Sequence, residues 1–471
     1  MHLMMLVPDG TGLRTFLSTR FMAAASEHAL TIWHALPPES IAEHEARWRD
    51  GSVQWERLPE FRDGVLPRLL RQAKVFSQLY GAEHEGARVL LSMWRPPPRR
   101  AAALLEHSAR ALGRMCAGTR GTVRLDALHA RAVLHGGVCT PYRDFLVRQR
   151  PDVVFCTHQR AVTAVPALLA ARALGIPTAT FIYSWDNVPK GRMVVHADHV
   201  LVWSNHMRDE LLRYYADMTP ERVHVIGTPQ FEPYFDQSIA LPREQFLRQH
   251  GLSAERPVVC FSGDDRTTSP HDPELLADLA RAMRAIPEPR RPQLLFRRCP
   301  VDQSDRYDAV LRAYPEIAVS EPAWLRASKG EWTQVVPTSA DSTLLANIVR
   351  HADAVVNVGS TMAMDFALLG KPAVYLAYNP PSATTWDVDA VYRLEHFRVV
   401  HELQPVYWAR SADDVGSVVM HALDHPDEKQ AARQAWLDRI VAQPFTEASE
   451  RCLRTLRRLA REAPASCTSP S

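Results

Sequence analysis

The sequence predicts an α/β protein made of two doubly wound parallel-sheet domains facing a central cleft, with a C-terminal helix packing back across them. Three observations predict it. Short continuous apolar runs recur, such as Ala354-Val355-Val356-Asn357-Val358, as a strand buried on both faces requires. Such runs alternate with helical stretches that end in glycine and proline, as at Gly370 and Pro372. The length of 471 residues exceeds what one hydrophobic core organises.

Taken in order, His2 to Val7 reads as a first strand, followed by the turn Asp9-Gly10-Thr11-Gly12, a helix through about Glu27 and a second strand from Leu30 to Trp33. The glycine spacing there is not GxGxxG, so the turn reads as a close-approach loop rather than a dinucleotide motif. Residues 37–150 are less regular, with helices expected over Gly64 to Tyr80 and Arg100 to Arg114. The basic stretch Arg95-Pro96-Pro97-Pro98-Arg99-Arg100 between them reads as a solvated loop, and its charge also suits peripheral contact with an anionic membrane. Strands are expected at Asp152 to Cys156, Thr178 to Tyr183, His199 to Trp203 and Val223 to Ile226, with helices at Ala161 to Leu174 and Asn205 to Tyr215.

The rhythm breaks at Gly227-Thr228-Pro229, which places a linker near there and domains at residues 1–235 and 236–428, with a helical extension at 429–471. In the second domain, strands are expected at Pro257 to Phe261, Gln293 to Phe296, Thr333 to Val336, Ala354 to Val358 and Ala373 to Ala377. Helices are expected from Pro273, over Asp341 to Arg350 and over Met362 to Leu369. The C-terminal helix runs from Lys429 to Glu462 with a break near Pro444.

A net charge of +2 with 23% charged residues makes no demand for nucleic acid. Seven dispersed cysteines without a CxxC pair suit reduced thiols in a cytoplasmic protein. The run Met1 to Val7 is too short for a signal peptide, and no apolar run reaches membrane-spanning length. There is no HExxH, GxSxG, Walker A or paired-cysteine signature, so neither a metal nor a cofactor is expected.

Ligands of open parallel sheets bind beyond the carboxyl ends of the strands. In the second domain, that rule selects Ser262-Gly263, Arg297-Arg298 and Gly359-Ser360-Thr361. Their amides, hydroxyls and guanidinium forks suit a diphosphate. Asp365 follows Thr361 by one helical turn, where it would reach a ribose hydroxyl pair. In the first domain the rule selects Asp9, Thr11, His158, Gln159, Trp185, Asp186, Asn187 and Lys190. His158 is the candidate general base and Asp186 its competitor, while Trp185 is expected to face the cleft.

The stretch ADAVVNVGSTMAMDFALLGKPAVYL (Ala352 to Leu376) resembles the donor-binding segment of bacterial surface-carbohydrate transferases, including the CDP-glycerol glycerophosphotransferase-like group. SWDNVPKG (Ser184 to Gly191) and HVIGTPQFEPY (His224 to Tyr234) are similar to further elements of such proteins. The whole resembles the GT-B glycosyltransferases, with Rossmann-like domains and a long C-terminal helix, best over residues 150–380. The resemblance implies donor phosphate at Ser360 and Thr361 and the nucleotide ribose at Asp365. It further implies transfer from a nucleotide-sugar donor to a glycan or lipid-linked acceptor, and Arg297, Arg298 and helix N-termini are expected to take the diphosphate charge in place of a metal. The alternatives are a CDP-glycerol-type glycerophosphotransferase, a sugar-nucleotide 2-epimerase and a non-catalytic nucleotide-binding protein.

Overall fold

A computed structural model describes residues 1–48, 51–326 and 335–462. The chain forms two compact units. The first comprises Met1–Glu232 and the C-terminal segment from Ile440; the second comprises Pro233–Arg326 and Pro337–Arg439.

The first unit holds a seven-stranded sheet of β1 (His2–Val7), β2 (Ala29–His34), β3 (Val53–Arg57), β4 (Val153–Cys156), β5 (Thr178–Phe181), β6 (His199–Val202) and β7 (Val223–Val225). Its order is β3-β2-β1-β4-β5-β6-β7, and every pairing is parallel. The second unit holds six parallel strands: β8 (Val258–Ser262), β9 (Gln293–Arg297), β10 (Ala318–Ser320), β13 (Ala354–Asn357), β14 (Ala373–Leu376) and β15 (Tyr407–Ala409). Their order is β10-β9-β8-β13-β14-β15. The short strands β11 (Trp324–Arg326) and β12 (Val335–Pro337) lie outside that sheet. The strand expected at Thr333 to Val336 is therefore β12, and residues 333 and 334 fall outside the described ones.

The apolar runs are fully buried in β4, β5, β8, β13 and β14, as strands covered on both faces must be. In each sheet the strand order reverses once, between β1 and β4 and between β8 and β13. Such a reversal opens a crevice at the carboxyl ends of the two strands, and this is what positions a site.

Three expectations need correction. The helix expected through about Glu27 is broken into a turn at Gly10–Gly12, a wide turn at Leu13–Leu17 and a helix at Arg20–Ala25. The break falls at Thr19, whose hydroxyl is diverted to the carbonyls of Thr15 and Phe16 (3.1 and 3.0 Å) and accepts the Phe21 amide (3.4 Å). Second, the irregular stretch after β3 is an insert of five helices: Val65–Gly81, Glu85–Met93, Arg100–Met115, Thr119–His135 and Thr140–Gln149. Its own small core joins Leu70, Ala73, Phe76, Ala109 and Leu125.

Third, the C-terminal extension does not part from the second unit at residue 429, since Gln430 to Arg439 stays with that unit and the chain rejoins the first from Ile440. Helix Ala448–Glu462 is held there by Glu232, whose carboxylate accepts the Ser449 amide and hydroxyl, both at 2.7 Å. Arg451 Nε donates to the Ile226 carbonyl at 2.9 Å. The six described cysteines are free thiols. No helix among the described residues is long and apolar enough to cross a membrane.

Candidate functional site

The parallel register of β1 with β4 sets Leu6 opposite Cys156, so the turns after both strands emerge side by side at the reversal. The ladder continues one residue beyond, where the Thr157 amide donates to the Leu6 carbonyl at 3.1 Å. Gly12 makes this approach possible, because a Cβ there would lie 2.1 Å from Thr157 Oγ1.

This juxtaposition brings together Asp9, Thr11 and His158, which the sequence singled out separately. A carboxylate oxygen of Asp9 accepts from His158 Nδ1, while the other accepts the Thr11 amide at 3.1 Å and the Thr11 hydroxyl. Both residues of the pair are buried, Asp9 at 6% and His158 at 4% exposure. Burial pushes the Asp9 carboxyl upward. The charge and hydrogen bond of His158, with the two donors of Thr11, outweigh it and hold Asp9 below its ordinary value.

A carboxylate accepting from Nδ1 keeps a proton on that nitrogen, so Nε2 is the ring nitrogen left to act. His158 Nε2 is buried and has no hydrogen-bond partner among the described residues. Tyr183 packs edge-on against the imidazole, centroids 4.4 Å apart, and completes the orientation. Sequence reasoning missed Tyr183; its place two residues beyond the end of β5, the strand next to β4, was the available signal.

The Ser184 to Gly191 segment departs from expectation. Asp186, the proposed competing base, is ion-paired with Lys190 and also accepts from Ser184 Oγ (2.5 Å) and Asn187 Nδ2 (2.9 Å). A carboxylate so engaged is a poor proton acceptor, and Lys190 is spent in the same pair. Asn187 is buried and accepts from Gln159 Nε2 at 3.2 Å, while the Tyr183 amide donates to Gln159 Oε1 at 3.2 Å. Trp185, expected to face the cleft, is only 5% exposed. The segment staples its loop to the turn that carries His158.

In the second unit the reversal lies between Ser262-Gly263, after β8, and Gly359-Ser360-Thr361, after β13. Asn357, which sequence reasoning passed over, accepts the Ser360 amide at 3.0 Å on Oδ1 and so shapes the turn. Gly359 has φ +66°, and a Cβ there would lie 2.6 Å from Phe397 Cζ. Ser360 and Thr361 remain half-exposed at the start of helix Met362–Leu368. The Ser262 side of the crevice is braced by Asp272, which accepts the Asp264 amide (2.6 Å), the Ser269 hydroxyl (2.5 Å) and the Tyr307 hydroxyl (3.0 Å). Burial pushes the Asp272 carboxyl up to about 6.

Three donor-site expectations are corrected. Arg297 is 4% exposed and donates through Nη2 to Asp341 at 2.6 Å, which leaves it turned into the unit rather than toward a diphosphate. Arg298 donates to both oxygens of Glu321 (3.2 Å each) and to the Ser304 carbonyl (3.0 Å), and lies over the Tyr307 ring. Asp365 is 2% exposed, inside the helix–sheet layer and not at the surface where a ribose would lie. Asp264-Asp265 is a turn-former: Asp265 accepts the Thr267 and Thr268 amides at 2.7 and 3.1 Å and both threonine hydroxyls.

A further polar cluster, unforeseen in the sequence, joins the helical insert to the segment after Gly191. Lys74, fully buried, donates to Asp126 (2.6 Å) and to the Val194 carbonyl (3.1 Å), beside His196 and His129. Asp126, His129 and His196 could bring three metal-ligating atoms together. The Lys74 ammonium, against Asp126, is already the cation there. Burial and that ammonium pull His129 down to about 2 and His196 to about 3.

No family model matches the chain. Among curated proteins, the alpha-maltose-1-phosphate synthase of Mycolicibacterium smegmatis is 36% identical over 67 residues, 14% of this chain and 17% of that protein. Among solved structures, the chain is similar to UDP-GlcNAc 2-epimerase from Neisseria meningitidis, solved with UDP-GlcNAc bound. The identity is 9% over 97% of this chain and 100% of that one, with a TM-score of 0.52. The corresponding epimerase from Methanocaldococcus jannaschii gives 11% identity, the same coverage and a TM-score of 0.51. At such identities the likeness is one of fold: two Rossmann-like α/β domains of the GT-B type.

Proposed function

We propose that the protein is a nucleotide-sugar-dependent glycosyltransferase. The observation that carries the reading is the Asp9–His158 pair at the reversal of the first sheet, a histidine with one nitrogen held by a carboxylate and the other bare. That arrangement suits removal of a proton from an acceptor hydroxyl. In this reading the acceptor is a glycan or a lipid-linked saccharide, and its hydroxyl oxygen attacks the anomeric carbon of the donor sugar. The bond to the diphosphate breaks, and His158 Nε2 takes the proton while Asp9 stabilises the imidazolium.

The nucleotide diphosphate is assigned to the second unit, at the turns Ser262-Gly263 and Gly359-Ser360-Thr361. Backbone amides and hydroxyls there would take the charge that builds on the leaving group. With Arg297 and Arg298 paired within the chain, these turns and not arginine forks are the proposed phosphate ligands.

A 2-epimerase is the second reading, favoured by the epimerase folds at TM-scores above 0.5. The two part at one assay. A thermal-shift panel of UDP, GDP, CDP and dTDP first selects the nucleotide, since a bound ligand stabilises by mass action. The matching nucleotide-sugar is then incubated with and without a saccharide acceptor and followed by NMR. Acceptor-dependent release of the diphosphate supports transfer; inversion at the sugar C2 without an acceptor overturns it in favour of the epimerase.

A further inference from the structure

Nine of the eleven exposed large apolar side chains among the described residues fall on the helical insert, between Val65 and Val147. The most exposed include Met115 at 85%, Leu104 at 70% and Leu66 at 56%. They are ordered along helices. Helix Arg100–Met115 turns Ala109 into the insert core and leaves Leu104, Ala111 and Met115 along one outer line, at spacings of seven and four. Helix Thr119–His135 buries Leu125 and leaves Arg124, Leu128, Arg131 and Leu134 outside in the same manner.

The charge of this region is equally one-sided. Residues 85–150 carry twelve arginines and no lysine against four acids, a net of +8 in a chain whose net charge is +2. Eleven of those arginines are exposed, the exception being Arg110.

We propose that the outer face of helices Arg100–Met115 and Thr119–His135 docks on an anionic lipid surface. Apolar side chains interleaved with arginines match an interface in which hydrocarbon lies just below a layer of negative head groups. Two other occupants fit less well. A second copy would set two strongly positive faces against each other, and a nucleic acid would neutralise the arginines while giving Leu104 and Met115 nothing to bury against. The inference does not depend on the reaction assigned above, and its test contains no activity measurement.

The test is flotation of the full chain with vesicles of phosphatidylcholine alone and of phosphatidylcholine mixed with phosphatidylglycerol, at low and raised salt. The expected result is binding to the mixed vesicles only, weakened by salt. It should fall at least about tenfold both in Leu104→Glu/Met115→Glu and in Arg99→Glu/Arg100→Glu. All four positions are exposed, so circular dichroism should find both variants folded. Absence of binding to the mixed vesicles overturns the proposal, as does unchanged partition of the leucine–methionine variant. Two further outcomes also overturn it: a dimer in sedimentation that the same variant dissociates, or tight oligonucleotide binding that only the arginine variant loses.

Discussion

The Asp9–His158 pair makes a demand that single substitutions cannot meet by accident. Removing a positioned general base slows the chemical step by about 10²–10⁴-fold, or about 2.7–5.5 kcal/mol of barrier, and His158→Ala should fall in that range. Asp9→Asn keeps an oxygen able to accept from Nδ1 but removes the charge that faces the imidazolium formed on proton transfer. The loss of a charge-assisted hydrogen bond, about 1.5–3 kcal/mol, corresponds to roughly ten- to hundredfold in turnover. Asp9 touches His158 and Thr11 and acts on the acceptor only through the ring. In the His158→Ala background, Asp9→Asn should therefore cost nothing further, and the coupling energy should equal the whole Asp9→Asn effect. The assay is release of nucleoside diphosphate at saturating donor, with calorimetric nucleotide affinity as the control expected to stay constant. Thermal denaturation runs alongside, because Asp9 caps the turn at Gly10–Gly12 and a cap is worth about 1 kcal/mol. Multiplicative effects of the two substitutions, or wild-type turnover in folded His158→Ala, would refute the reasoning.

Other outcomes follow from the same structure. Gly359→Ala should cost about 1–3 kcal/mol and weaken nucleotide binding, because it needs positive φ and meets Phe397; melting and titration check it. Lys74→Met leaves the half-buried Asp126 with Arg192 as its remaining cation, so a loss of about 3 kcal/mol in chemical denaturation is expected, and an unchanged midpoint would remove the cluster as a structural lock. Asp272 has its folded-state value raised from 3.8 to about 6, so its contribution to stability is fully present below pH 3.8 and is lost as pH rises through about 6. The loss is at most about 3 kcal/mol, and denaturation of Asp272→Asn across that window should show a flatter dependence. Because Asp265 is engaged by its own threonines, transfer should survive EDTA; loss of activity restored by Mg²⁺ would return Asp264-Asp265 to consideration as a ligand pair.

The layer architecture was legible in the sequence because strand and helix periodicity is local. A mostly apolar run such as Ala354 to Val358, too short for a helix, reads as a strand covered on both faces, and Gly370-Lys371-Pro372 ends a helix wherever it lies. The carboxyl-edge rule likewise named Asp9, Thr11 and His158 one by one. What the sequence could not state was their meeting, since Asp9 and His158 stand 149 positions apart and only the register of β1 against β4 joins them. The helical insert was half legible for a related reason: its helices divide their buried faces between the insert's own core, through Leu70, Phe76 and Leu125, and the core of the first sheet, through Val133, Tyr142 and Leu146, so no single apolar stripe stands out. The same residue types took opposite parts according to partners that only packing supplied. Arg297 read as a phosphate ligand until Asp341, 44 positions on, claimed it, and Asp186 read as a base until Lys190 did. A charged side chain taken out of water must find an opposite charge, and which one it finds is decided by the tertiary structure.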